Sequence, residues 1–373
     1  MSAPERALAR IDLGAIERNC ARLRSLLRDG TELCAVVKAD GYGHGAVWAA
    51  KAALEGGAGW LAVATAGEAE DLRRHGLGGR ILVMGALSHE ELGTALEADA
   101  DVVAWREGFV RALSEGALPG ARPPRVHVKL DSGMGRLGTA DVDEARSVAA
   151  AVAADDRLEL AGVMTHFATA DELGDDHFPA QLETFTPFAR ELEGRHPGLL
   201  VHAANSAATF REPAAHFGMV RCGIAIYGLD PFQGHPAERG LEPALALDSW
   251  VAAVKRFEPG DSAGYGRSWR AEQATTVATL PIGYGDGWRR GLSNKCDVLI
   301  GGRRRPLVGT ISMDNVTADL GPESDVQPGE PAVLIGAQGE ERIHAEEVAR
   351  SLGTINYEIT CGLSPRVRRL HLR

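Results

Sequence analysis

Leu33-Cys34-Ala35-Val36-Val37-Lys38 is an apolar run that stops on a lysine, and the same form recurs down the chain. Arg125-Val126-His127-Val128 runs into Lys129, and Leu160-Ala161-Gly162-Val163-Met164-Thr165 into His166. Leu199 to Ala204 runs into Asn205, and Phe217-Gly218-Met219-Val220 into Arg221. One such ending means little, because strand termini are often polar. Five chemically able residues ending five runs read as an assembled site, since the active site of a parallel barrel lies where its strands end.

We count eight short apolar runs: Leu33–Val37, Trp60–Ala64, Ile81–Met84, Asp101–Trp105, Val126–Leu130, Leu158–Thr165, Leu199–Ala204 and Phe217–Val220. Between them Ala46–Glu55, Gly67–Arg74, Ser88–Ala98 and Gln181–Leu192 carry apolar residues at helical spacing. Strand alternating with helix implies βαβ units and a parallel sheet. Eight strands suggest a closed (β/α)8 barrel, with a doubly wound sheet of six or seven strands as the alternative. After Leu229-Asp230-Pro231 the texture changes to short Val-, Ile- and Thr-rich runs: Leu245–Val254, Thr275–Leu280, Asp297–Ile300, Pro306–Ile311, Asn315–Asp319 and Pro331–Ile335. Gly, Pro and Asp separate them, which predicts a mainly β-strand domain with one helix near His344–Leu352. The expected division is 1–240 for the barrel and 241–373 for the β domain.

A formal charge of −11 argues against a nucleic-acid footprint. The Arg303-Arg304-Arg305 cluster reads as a solvated turn between Gly302 and Pro306. Five cysteines (Cys20, Cys34, Cys222, Cys296, Cys361) show no metal-type spacing and read as buried reduced thiols. No apolar signal core opens the chain and no run of ~20 apolar residues is present, so a cytoplasmic location is expected. Asp171, Glu172, Asp175 and Asp176 lack calcium-loop spacing and read as a solvated loop, and no metal is expected. His127 and His202 read as satisfied core histidines, His202 with a further chance of orienting the Asn205-Ser206 turn.

Lys38 is the first candidate for chemistry. A lysine ending a buried strand has a partly desolvated ammonium, which lowers its pKa and frees the amine as a nucleophile for carbonyl groups. The glycine-rich turn Ala39-Asp40-Gly41-Tyr42-Gly43-His44-Gly45 lets backbone approach a ligand closely.

The whole segment Ala35 to Gly45 is more specific, and it resembles the pyridoxal-phosphate segment of the alanine racemases, a family built from a barrel and a β domain. Val128-Lys129-Leu130-Asp131-Ser132-Gly133-Met134-Gly135-Arg136-Leu137-Gly138 is similar to a second family signature, as are Met164–Phe167, His202–Ala207 and Arg221–Gly228. In the β domain Ala263–Gly266, Gly283–Gly287, Ile311–Asp314 and Thr354–Glu358 match in order, so the resemblance spans nearly the whole chain.

That resemblance implies that Lys38 carries pyridoxal 5'-phosphate and serves as one of two catalytic bases. The cofactor phosphate would be held by Tyr42, Ser206, Tyr357 and the backbone of Gly223 and Ile224, with a helix beginning after Asn205-Ser206 aimed at it. Arg221 would face the pyridine nitrogen and His166 would support Arg221. A guanidinium stays protonated and only donates, so the ring is a weaker electron sink than with a carboxylate partner, and fast proton return favours racemisation over transamination. Tyr265 would serve the opposite face from the partner subunit of an obligate homodimer, its pKa lowered by the His166–Arg221 pair. Arg136 and the backbone of Met313 would bind the substrate carboxylate, with Lys129 and Asp314 in support. In many members the lysine matching Lys129 is carbamylated.

Tyr265, Tyr284, Arg290, Ile355, Tyr357 and Asp171 match residues lining a narrow entrance, which favours alanine and leaves serine as a slower substrate. The expected function is supply of D-alanine, typically for peptidoglycan. Three positions depart from the family pattern: Asp40-Gly41 for the usual Asn-Ala, which would loosen the phosphate turn, Gly285 for alanine and Arg368 for proline. The rivals are a decarboxylase of similar architecture, a non-catalytic cofactor carrier, an inactive dimer and a cofactor-free aldolase. The first wants an acid where Arg221 stands, and the second lacks the β domain. Retained Lys38 and Tyr265 speak against the third, and the phosphate-binding set against the last.

Overall fold

The computed structural model describes residues 5–117 and 122–373. The chain forms two compact units, 16–226 with 239–241, and 5–15 with 227–238 and 242–373. After an N-terminal strand, β1 (Leu8–Asp12), the first unit contains β2 (Glu32–Val36), β3 (Trp60–Val63), β4 (Arg80–Val83), β5 (Asp101–Ala104), β6 (Arg125–Lys129), β7 (Glu159–Met164), β8 (Leu200–His202) and β9 (Met219–Cys222). These strands pair in parallel in chain order and β9 closes onto β2, giving the expected barrel. Each strand lies within two residues of the run read from the sequence.

β3, β5 and β6 are buried along their whole length. Strands covered on both faces read as largely apolar runs, β3 throughout, while β5 and β6 also carry the buried polar residues Asp101, Arg125, His127 and Lys129. Helices return the chain between strands, among them Ala46–Glu55, Ala66–Arg74, His89–Glu97, Val142–Ala153 and His177–Arg195. Two start on reciprocal caps: Thr65 accepts from the Glu68 N–H while Glu68 reaches back, and Ser88 and Glu91 do the same. The S/T-x-x-E spacing thus fixes where the chain turns from strand into helix.

The second unit holds β10 (Leu245–Trp250), β11 (Ala253–Phe257), β12 (Ser262–Ala263), β13 (Trp269–Arg270), β14 (Thr275–Leu280), β15 (Asp297–Ile300), β16 (Arg303–Pro306), β17 (Val316–Gly321), β18 (Pro331–Gln338), β19 (Glu341–Ile343) and β20 (Arg368–Leu372). A seven-stranded sheet runs β16-β15-β18-β10-β1-β20 with β19 beside β18, and β11-β14-β17 form a second sheet.

Several expectations change in the folded chain. Leu8–Asp12, counted with the barrel segment, pairs instead with β10 and β20. Leu245–Val254 is not one strand, because the chain leaves one sheet at Trp250 and enters the other at Ala253. Arg303-Arg304-Arg305 is not a turn. It forms edge strand β16 against β15, and the turn is Gly301-Gly302, where both φ values are positive. Charges on an edge strand deter pairing with other chains, and Arg304 is held by Glu347, Glu341 and Asp297. Of the run Pro306–Ile311, Pro306 ends β16, and Leu307 and Thr310 make isolated bridges in place of a strand. The cysteines are free thiols, but Cys361 is exposed and Cys296 half-buried, so uniform burial does not hold.

Candidate functional site

Lys38 stands two residues past the end of β2, half-buried at the C-terminal end of the barrel. The turn after it is unusual: Ala39, Asp40, Gly41 and Tyr42 all have φ between 51° and 61°. Left-handed backbone costs a non-glycine residue about 1–2 kcal/mol, so this turn is held in place by its contacts. The Ala39 N–H donates to Glu68 (2.7 Å), and the Asp40 carboxylate accepts the Ala46 N–H (2.9 Å) at the start of the next helix. Glu68 also accepts the Ala64 N–H at 2.7 Å, tying together the turns after β2 and β3. The Asp40-Gly41 pair lies at the centre of this turn. Asp40 anchors it, and Gly41 sits at φ +61° with Ala46 backbone 3.2 Å from where a Cβ would be.

Tyr42 is buried, and its hydroxyl packs where a Cβ on residue 223 would stand, so Gly223 is required for the two to meet. The Ser206 hydroxyl accepts from the Gly223 N–H (3.1 Å) and the Ala225 N–H (3.4 Å). Asn205 caps the short helix Ser206–Arg211 through the Ala208 N–H at 2.9 Å. The hydroxyls of a glycine-backed tyrosine and of a serine thus meet beside the β9 turn, in a cradle whose donors fit a phosphate. Ile224 opens the 3-10 turn that follows.

Arg221, on β9, is 3% exposed. Its Nη2 donates to the Thr165 carbonyl (2.9 Å), the Ala203 carbonyl (3.0 Å) and His166 Nδ1 (3.2 Å), and its Nη1 donates to His202 Nδ1 (2.9 Å). Burial lowers its pKa to about 10, leaving it cationic at neutral pH. The Nε–H and the second Nη1 hydrogen remain for an acceptor such as a ring nitrogen. His166 does support Arg221, but as a neutral imidazole. Burial, then the charges of Arg221, Lys129, Arg136 and Lys38, push its pKa well below the ordinary value, so it cannot serve as a cation toward Tyr265. His202 contacts Arg221 and not the Asn205 turn.

Lys129 ends β6 and is buried. Burial first, then the charges of Arg221, Arg136 and Lys38, lower its pKa to about 8, and Asp131 opposes them. The Asp131 carboxylate is itself engaged with the N–H groups of Gly133, Met134, Gly135 and Arg136. Lys38, Lys129, Arg136 and Arg221 thus concentrate positive charge at one end of the barrel, which favours an anionic occupant.

The remaining candidates, Asp171 excepted, belong to the strand-rich unit. Tyr265 is 74% exposed on the turn joining β12 and β13, between Gly264 (φ +71°) and Gly266 (φ +70°). A Cβ at 264 would stand 2.8 Å from the Thr310 carbonyl, so the loop is pressed against neighbouring backbone although its side chain is free to solvent. Met313 is 52% exposed, and its carbonyl accepts the Gly285 N–H at 2.9 Å, which leaves its N–H as the group suited to a carboxylate. Arg366 donates to Asp314 (2.7 Å), and Arg6 reaches both Asp314 and buried Asp286. Tyr284 and Ile355 are exposed, as is Arg290, and Tyr357 is half-buried. Beside Tyr357 a buried set that sequence reasoning missed fixes its helix: Asn356 donates to the Asp230 carbonyl and to Glu346, both at 2.9 Å. Asp171 lies on the barrel unit, in an exposed loop whose carbonyls at Thr169, Ala170 and Glu172 accept from Arg211.

Comparison with known proteins places this geometry. Residues 11–231 match the model of the alanine racemase N-terminal domain and residues 244–371 that of the C-terminal domain. The chain is 43% identical to the alanine racemase of Geobacillus kaustophilus, covering 97% of this chain and 94% of that one. It is 42% identical to that of Symbiobacterium thermophilum, covering 97% and 96%. Among solved structures, alanine racemase from D-cycloserine producing Streptomyces lavendulae superposes with a TM-score of 0.94 at 38% identity, covering 100% of this chain and 98% of that one. The Bacillus anthracis enzyme with bound L-Ala-P gives 0.90 at 38%, covering 100% and 96%.

Proposed function

The chain belongs to the alanine racemase family, a family of pyridoxal-phosphate-dependent isomerases, and on that basis we propose how its residues interconvert L-alanine and D-alanine. The observation that carries the reading is the convergence of Lys38, Lys129, Arg136 and Arg221 around a neutral His166. Four basic groups favour anionic occupants, here a phosphorylated cofactor and a substrate carboxylate.

Lys38 would hold the cofactor, Tyr42, Ser206, Tyr357 and the Gly223 and Ile224 backbone its phosphate, and Arg221 its ring nitrogen. When bound, the cofactor withdraws electrons from the amino acid and so acidifies its Cα proton. Lys38 moves that proton on one face. The partner's Tyr265 moves it on the other, since a planar carbon needs a base on each side to invert. Arg136 and the Met313 backbone fix the substrate carboxylate so that Cα stays between the two bases. A Lys129 amine partly neutral near pH 8 is competent for carbamylation, and the resulting anion would turn its repulsion of Arg136 into attraction. Tyr265, Tyr284, Arg290, Ile355 and Asp171 would narrow the entrance to a methyl-sized side chain. The enzyme would act as a homodimer in the cytoplasm and supply D-alanine for peptidoglycan. Among the described residues no helix is long and apolar enough to cross a membrane.

Borohydride reduction of the cofactor-loaded protein, followed by peptide mass analysis and paired with a D-amino-acid assay on L-alanine, tests this reading. Cofactor fixed to the Lys38 peptide, a band near ~420 nm before reduction and D-alanine are expected. Label on another lysine, or loading without D-alanine, would overturn it.

A further inference from the structure

Barrel interiors are normally filled by layers of branched apolar side chains. This one carries a hydrogen-bonded line of polar groups from its reactive end to the opposite end. Arg221 Nη1 lies 2.9 Å from His202 Nδ1, His202 Nε2 lies 2.8 Å from His127 Nδ1, and His127 Nε2 lies 3.0 Å from Asp101 Oδ2. Both imidazoles and the carboxylate are fully buried. Asp101 opens β5 and also accepts from Arg125 Nε (2.6 Å) and from Arg80.

The chemistry of the two ends sets the polarity of every link. An arginine can only donate, so His202 Nδ1 must accept and its proton sits on Nε2. That proton points at His127 Nδ1, which therefore accepts, and the His127 proton sits on Nε2. An ionised carboxylate can only accept, and it is what His127 Nε2–H meets. Both ends demand the same direction, so no link is frustrated. The barrel makes room for the line at Gly162 on β7, where a Cβ would overlap the His127 ring.

We propose that Asp101 is a positioning residue for racemisation: through His127 and His202 it locks the tautomer that presents a lone pair to Arg221, and so holds that guanidinium in place for the cofactor ring. The assignment deepens the proposed racemase function and rests on it for Arg221's role. Replacing the carboxylate by an amide removes the constraint. An amide N–H facing His127 Nε2 would reverse both tautomers and turn a His202 N–H against an Arg221 N–H, which a buried site does not accommodate.

The test is long-range 1H–15N NMR of histidine-labelled, cofactor-loaded protein, with steady-state kinetics of the same samples. In the unmodified enzyme His127 and His202 are expected as neutral Nε2–H tautomers. An Nδ1–H tautomer or an imidazolium at either would overturn the proposal, whatever the enzyme's activity. In Asp101→Asn the His202 nitrogen shifts should change and kcat should fall about tenfold, the scale at which outer partners act on a reactive centre, with KM for alanine nearly unmoved. Asp101→Asn with unchanged His202 shifts and kcat would reduce the line to a structural ion pair. If Asp101→Asn does not fold, His127→Gln, which leaves the carboxylate with Arg80 and Arg125, carries the same expectations and the same contrary result. Failure of the unmodified enzyme to racemise alanine would sink the functional reading instead and leave the tautomer result standing.

Discussion

The two units prepare their functional groups in opposite ways. At the barrel mouth Arg221 is buried and bonded to Thr165, Ala203, His166 and His202 within its own unit. On the strand-rich unit Tyr265 and Met313 project into solvent from backbone that is itself tightly held, by the Gly264 approach to Thr310 and by the Gly285 bond to Met313. A held backbone with an exposed side chain is what a group needs if it completes a site it does not itself contain. On the proposed reading the barrel supplies finished electrostatics, and the partner's strand-rich unit supplies reach.

That contrast can be challenged at either end. The largest expected effect is at Lys38, which has no substitute on its face. Lys38→Ala should lower kcat by about 10,000-fold, the upper range for a lost acid–base group, and should abolish labelling of that peptide on reduction. Tyr265→Phe should cost about 100-fold in kcat with Tm unchanged, because an exposed side chain contributes little to folding. A large fall in Tm in this variant would mean that Tyr265 is structural.

The barrel's buried histidines extend the contrast to pH. Burial and the charges of Arg221, His127 and Lys129 push His202 well below its ordinary value of 6.5, and His166 behaves alike. A folded state that refuses protons accepted by the unfolded chain loses stability as pH falls below about 6.5 and keeps it above. Thermal melts from pH 8 to pH 5 should show Tm falling across that window, and less steeply in His202→Gln; a flat profile would rule out these histidines as a source of acid sensitivity. The smallest effect is expected at Gly285→Ala. The Cβ would meet the Arg366 guanidinium, the far end of a flexible side chain, and would stand 3.1 Å from the Met313 carbonyl, which must give slightly, so stability should fall by about 1 kcal/mol.

Much of the barrel was legible in the chain. Strands buried on both faces read as apolar runs, and each run's last polar residue marked the mouth. Lys38, Lys129, His166 and Arg221 could be named on that ground alone. The strand-rich unit was read less well, because its strands are short and one of them is triply charged. An edge strand such as Arg303–Pro306 looks like a loop until its partner is known. β1 and β20, at opposite ends of the chain, meet in one sheet, and no local pattern announces such a pairing. The state of His166 was also hidden, since its neutrality comes from burial first and then from four cationic residues far apart in sequence. The line through His202 and His127 to Asp101 had a faint signal, polar residues inside apolar runs, which also describes an ordinary core histidine.

The measurement that bears most directly on a site completed across subunits uses two dead variants together. Lys38→Ala and Tyr265→Phe chains are co-expressed with different tags, and the doubly tagged hybrid is purified and assayed for racemisation. In the hybrid one barrel keeps Lys38 and faces the partner's Tyr265, so activity near half that of the unmodified dimer is predicted. If Tyr265 instead serves the barrel of its own chain, both sites of the hybrid are defective, and activity no higher than that of the parent variants would contradict the account.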